Sequence, residues 1–180
     1  MLKNYNLIII DRSDIFLDLI EINYNLDPRF KSIYTFNDLS LFELFFKKKC
    51  ENKEKLIVIV DKEMNGYESL QMIKKSDKSI PVILTSDSND ILNALKALVN
   101  GADAFVDKRQ KYLLELDHMM MITLKKIEND INRKNSLDNI VKQEISKYLK
   151  KVPRYPGHFP SVEFIKHHEL KFIEDHIAYG

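Results

Sequence analysis

The feature that most constrains this chain is a fivefold alternation of short apolar, β-branched runs with longer stretches whose apolar residues recur every three or four positions. A strand buried on both faces reads as an unbroken apolar run, and a helix covering it reads as a stripe. The alternation therefore specifies an α/β fold: a five-stranded, doubly wound parallel sheet covered by helices on both faces. The runs predict strands at 6–10, 32–36, 56–60, 81–84 and 104–106, and helices at 15–25, 39–49, 67–75, 90–100 and from 110 onward. LIII, LIVIV and PVIL are apolar throughout, as central strands are, whereas SIYTF mixes in polar residues as an edge strand can.

Charge and cysteine content narrow the functional classes. With 28 Lys+Arg against 27 Asp+Glu, the chain has no overall attraction for nucleic acid or for an anionic membrane. One cysteine, Cys50, cannot form an internal disulfide, and the start MLKNYNLIII lacks a basic n-region, so a cytoplasmic protein is expected. Apolar runs fall far short of the roughly 20 residues that cross a bilayer. The sequence contains no basic recognition helix in a helix-turn-helix pattern, no Gly-rich phosphate loop and no catalytic output motif.

In doubly wound sheets, ligand chemistry gathers beyond the carboxyl ends of the strands. The residues there are Asp11 after LIII, Asp61 after LIVIV, Thr85 after PVIL and Lys108 after AFVD. Two carboxylates, a hydroxyl and an ammonium suit phosphoryl transfer to a carboxylate: one Asp is the nucleophile, the other helps hold Mg²⁺, and Lys and Thr meet the phosphoryl oxygens. A single Asp after a strand is ordinarily a turn residue or a helix N-cap. The joint placement carries the argument.

From about residue 4 to 126 the chain resembles the response-regulator receiver family of two-component signalling, whose fold is flavodoxin-like. LIIID with Asp11 is similar to the family's first acidic motif, and LIVIVD with Asp61 to its phosphoacceptor strand. Asn65-Gly66 is similar to the turn opening the third helix, PVILTS with Thr85 to the switch-hydroxyl strand, and NGADAFVDK with Lys108 to the last strand and its lysine. Phe105 falls at the switch aromatic. The resemblance implies Mg²⁺-dependent phosphorylation by a histidine kinase or a phosphotransfer protein, with Asp11, Asp61 and the backbone of Glu63 as metal ligands. The only catalysis it implies is phosphorylation and dephosphorylation of the chain's own aspartate.

Three departures bear on the chemistry. Arg12 stands where the family has a second acid, so a cation replaces a metal ligand; the guanidinium is expected to ion-pair with Asp11 or Asp61. The loop DKEMNG reaches Asn-Gly early, so it is expected to run straighter and to displace the Glu63 carbonyl. Arg109 replaces the usual proline after the lysine, which is expected to leave Lys108 less rigidly aimed. Two readings follow: an intact phosphoacceptor, or a phosphorylation-independent pseudo-receiver that works through protein contacts.

The last helical stripe does not stop with the domain: Leu113, Leu116, Met120, Leu124, Ile127 and Ile131 recur at threes and fours. Its outer positions, Met120 to Ile131, are expected to be covered by a second subunit, or by a following helix folded back at a break at Asn135 and Ser136. The organisation expected is a receiver at 1–126, a helical arm at 127–151, and a proline-containing connector with a C-terminal helix at 152–180. That tail carries His158, His167, His168 and His176 with Glu169 and Asp175. Residues 168 and 176 lie two helical turns apart, so they read better as polar helix-face residues than as a chelate.

Overall fold

The computed structural model describes residues 5–88, 91–109 and 111–151, and side chains as far as residue 147. The tail with its four histidines lies outside the described residues, as do Asp90 and Gln110, where two helices were expected to begin.

Ten elements alternate in chain order: β1 (Tyr5–Ile10), α1 (Asp14–Tyr24), β2 (Phe30–Phe36), α2 (Leu39–Glu51), β3 (Leu56–Asp61), α3 (Gly66–Ser76), β4 (Val82–Ser86), α4 (Ile91–Val99), β5 (Ala104–Asp107) and α5 (Tyr112–Lys151). The five strands are parallel in the order β2-β1-β3-β4-β5, which puts SIYTF at an edge and the three fully apolar runs in the middle. Order reverses between β1 and β3, and the crevice at their carboxyl ends is the switch point of a doubly wound sheet.

Side-chain alternation builds two cores. In β1, Leu7 and Ile9 face α1 and α5, while Ile8 and Ile10 face α2, α3 and α4. In β3, Ile57 and Ile59 join the first layer and Val58 and Val60 the second. Ser13 and Asp38 cap α1 and α2 by accepting from the N–H groups of Phe16 and Leu41.

At the carboxyl end of the sheet, β3 and β4 continue past their apolar runs. Asp61 belongs to β3, and Thr85 and Ser86 belong to β4, because their backbones continue the parallel ladder, with Asp61 opposite Thr85. The loop after Asp61 does not run straight. Met64 N–H donates to the Asp61 carbonyl at 3.0 Å and Gly66 N–H to the Lys62 carbonyl at 3.0 Å, so residues 62–65 coil through successive turns. Asn65 closes them in the left-handed region at φ 49°.

Gly66 then passes so close that a Cβ there would lie 2.9 Å from the Asp61 carbonyl oxygen and 3.0 Å from Leu84 Cδ1. Only glycine lets α3 start against the strand end.

Within the compact unit that ends at Asp130, α5 buries Leu116, Met120 and Leu124 against the sheet beside α1. Met120 and Leu124 are thus core residues of their own domain, not outer positions awaiting a partner. The expected break is also absent, since Asn135 and Ser136 lie inside α5. Ser136 Oγ donates to the Asn132 carbonyl at 2.9 Å, so its hydroxyl is satisfied within the helix rather than capping a new one. In the second unit, Ile131, Leu137 and Ile140 are exposed.

Candidate functional site

The strand ladders position the site through its backbone. Asp11 N–H donates to the Phe36 carbonyl at 3.0 Å, Lys62 N–H to the Thr85 carbonyl at 2.8 Å, and Lys108 N–H to the Ser86 carbonyl at 2.9 Å. Each residue that begins a loop is therefore tied to the neighbouring strand, and the side chains beside these ties converge over the end of β3.

Asp11 and Asp61 are fully buried, and Lys108 joins them. Lys108 Nζ donates to Asp11 Oδ2 at 2.9 Å and stands 3.2 Å from Asp61 Oδ1, with 7% of its side chain exposed. Asp11 Oδ1 accepts from Ser13 N–H at 2.9 Å, so both of its oxygens are engaged. Asp61 differs. Among the described residues neither of its oxygens has a hydrogen bond of sound geometry, the Lys108 contact being a charge contact only. A buried carboxylate whose acceptors lack well-formed hydrogen bonds is costly in a folded protein.

The electrostatics follow from that asymmetry. Burial and then the charge of Asp11 push the Asp61 carboxyl above its usual range; Lys108 and the Glu63 backbone oppose them and do not win. Burial by itself would depress Lys108, but the hydrogen bond and charge of Asp11, with the charge of Asp61, hold it above its ordinary value. Lys108 is therefore a fixed cation whose main partner is Asp11, and Asp61 is the less satisfied of the two acids.

Thr85 is fully buried beside Asp61 and its hydroxyl reaches the Val60 carbonyl at 3.4 Å. Phe105 is half-buried against the layer formed with α2, α3 and α4. Lys108 is well aimed despite Arg109, whose side chain pairs locally with Asp107.

Arg12 does not pair with either pocket acid. Its guanidinium turns outward to Asp87 at 3.7 Å, both side chains being more than half exposed. The reason is electrostatic priority: the Lys108 ammonium already fills the space between the acids, and a second cation does better with the carboxylate at the rim.

Two neighbours escaped the sequence reading. Asp87, two residues past Thr85, also stands 3.9 Å from Lys108; its only signal was an acid in the loop after a strand. Phe16 places its ring 5.0 Å from Lys108 Nζ and meets Tyr112 edge-on at 4.7 Å, a contact no helical periodicity announces. The Tyr112 hydroxyl is buried without a partner among the described residues.

A divalent cation fits this set poorly. Mg²⁺ takes about six oxygens in an octahedron and needs its carboxylates free. Here two carboxylates share an ammonium, one has both oxygens engaged, and the adjoining side chain is a guanidinium. Among the described residues no group of three or more His, Cys, Asp or Glu is placed to hold a metal, and no helix is long and apolar enough to cross a membrane.

No family model matches the sequence, and no curated protein matches it. Solved structures do match. A response regulator receiver domain protein from Clostridium thermocellum is 25% identical, with a TM-score of 0.54 over 74% of this chain and 98% of that one. An orphan response regulator of H. pylori is 18% identical, with a TM-score of 0.59 over 69% and 99%. An atypical orphan response regulator, described as having a phosphorylation-independent regulatory mechanism, is 20% identical, with a TM-score of 0.57 over 67% and 95%. The strand order, the switch-point crevice and these likenesses define the class: the chain has the fold of a response-regulator receiver domain, continued by a C-terminal helix.

Proposed function

We propose that the chain is a receiver module that accepts a phosphoryl group on Asp61 from a histidine kinase or phosphotransfer protein and passes the change to its helical extension. The observation that carries this reading is the state of Asp61: buried, without a hydrogen bond of sound geometry among the described residues, its Oδ1 3.2 Å from the Lys108 ammonium, and in register with Thr85. Such a carboxylate is a desolvated nucleophile with a cation already placed for the phosphoryl oxygens. Lys108 and the Thr85 hydroxyl would meet those oxygens, and Phe105 on the adjoining strand would report the change.

The α1 surface supports a helical partner. Ile15, Leu19, Ile22 and Leu26 are all exposed and recur at helical spacing along α1 and just past it, an apolar stripe of the kind a partner helix covers. Incubation with a small phosphodonor should add one acid-labile phosphoryl group, absent from Asp61→Asn; no incorporation from any donor or kinase would sink the reading.

The second reading, a pseudo-receiver that signals through protein contacts alone, is favoured by one observation: Lys108 already bridges both acids without any phosphoryl group. Under it, Asp61→Asn leaves partner binding unchanged in a pull-down with the cognate target.

A further inference from the structure

Phosphorylation of Asp61 raises a charge problem that the pocket cannot solve with Lys108 alone. In the reaction with acetyl phosphate, an Asp61 carboxylate oxygen attacks phosphorus and the Oδ–P bond forms. The bond from phosphorus to the acetyl oxygen breaks and its electron pair leaves on acetate. No proton moves. A dianionic phosphoryl group then stands where a single carboxylate charge stood, beside Asp11, with one ammonium already shared between the acids. A further cation is needed, and the ligand set for a divalent metal is deficient, as shown above.

Arg12 is in position to supply it. Arg12 follows β1, Asp87 follows β4, and β3 lies between those strands, so the Arg12–Asp87 pair spans the end of the strand that carries Asp61. The pair is weakly held: 3.7 Å apart, both partners more than half exposed, and Asp87 shared with Lys108 at 3.9 Å. A phosphoryl dianion matches the guanidinium fork better than one distant, solvated carboxylate does.

We propose that Arg12 is the counter-ion of a phosphoryl group on Asp61, taking the charge-neutralising place of a divalent cation, and that Asp87 is the internal anion it leaves on doing so. The inference rests on the reading of Asp61 as phosphoacceptor and adds that the acceptor works without metal.

The test is incubation with acetyl phosphate in EDTA or in Mg²⁺, read by intact mass, together with calorimetric titration of the unphosphorylated proteins with MgCl₂. The wild type should incorporate equally in both buffers, and Arg12→Ala should be slower in EDTA by about tenfold. Asp87→Asn, which frees the guanidinium, should be faster than wild type. Arg12→Asp should incorporate only with Mg²⁺ and should bind Mg²⁺ calorimetrically, where the wild type at millimolar concentration does not. Wild-type incorporation that requires Mg²⁺, an Arg12→Ala rate in EDTA equal to wild type, or an Asp87→Asn rate no faster than wild type overturns the role of Arg12 and leaves the phosphoacceptor standing. No incorporation by any variant in either buffer overturns both.

Discussion

Lys108 Nζ stands 3.2 Å from Asp61 Oδ1 although β5 and β3 are not neighbours and β4 lies between them. The ammonium also reaches Asp11, beyond β3. One side chain thus ties three loops at the carboxyl end of the sheet, and removing it leaves two buried carboxylates facing each other. Lys108→Met is expected to lose about 3 kcal/mol of stability at neutral pH. Denaturant unfolding at a series of pH values checks it, because the loss should shrink on acidification as the unpaired acids take up protons.

Asp61 should be a stability liability. Its carboxyl is raised in the folded protein by burial and by Asp11, so the native state binds a proton more readily than the unfolded chain does. Between the unfolded value and the raised folded value, stability therefore falls as pH rises, and above both the full penalty remains. Asp61→Asn is expected to stabilise by about 1 kcal/mol at pH 7. The gain should vanish below the unfolded aspartate range, near pH 3; an Asn variant less stable than wild type at pH 7 would refute the account of this residue.

Gly66 is held by crowding rather than by its backbone angle. A methyl there meets the Asp61 carbonyl at 2.9 Å, and that atom is backbone at the end of β3, held by the Met64 N–H, and cannot rotate away. Gly66→Ala should cost about 1–3 kcal/mol, seen as a lower urea midpoint with an unchanged slope.

The arm predicts assembly of a narrower kind than the stripe alone suggested. Met120 and Leu124 are spent on the domain's own core, but Leu137 and Ile140, three apart and so on one face, remain exposed on the continuing helix. Each such side chain is worth roughly 1.5–3 kcal/mol if fully buried, so a parallel pairing of two arms is expected at micromolar concentration. Sedimentation should show a dimer that Ile140→Glu converts to monomer; a wild-type monomer at that concentration excludes pairing through the arm.

The fold was legible because burial on both faces leaves a signature that little else imitates: LIII, LIVIV and PVIL became the three central strands. Their ends were less legible. Asp61, Thr85 and Ser86 read as loop residues by polarity, yet ladder bonds are made by backbone and do not depend on side-chain type. Asn135-Ser136 resembled a break, but helix propensities differ by only tenths of a kcal/mol per residue, and Ser136 finds a local acceptor. The convergence of Asp11, Asp61 and Lys108 followed from strand position. The partner of Arg12 did not, because it depends on where the loop carrying Asp87 crosses the end of β3, which no spacing encodes.

The central claim is that Asp61 is the phosphoacceptor of this receiver, and intact mass spectrometry of the wild type and Asp61→Asn after incubation with acetyl phosphate tests it most directly. The expected result is a single phosphoryl adduct on the wild type, lost in acid and absent from the variant. An unmodified wild type under all donor conditions, or an adduct that persists in Asp61→Asn, would contradict it.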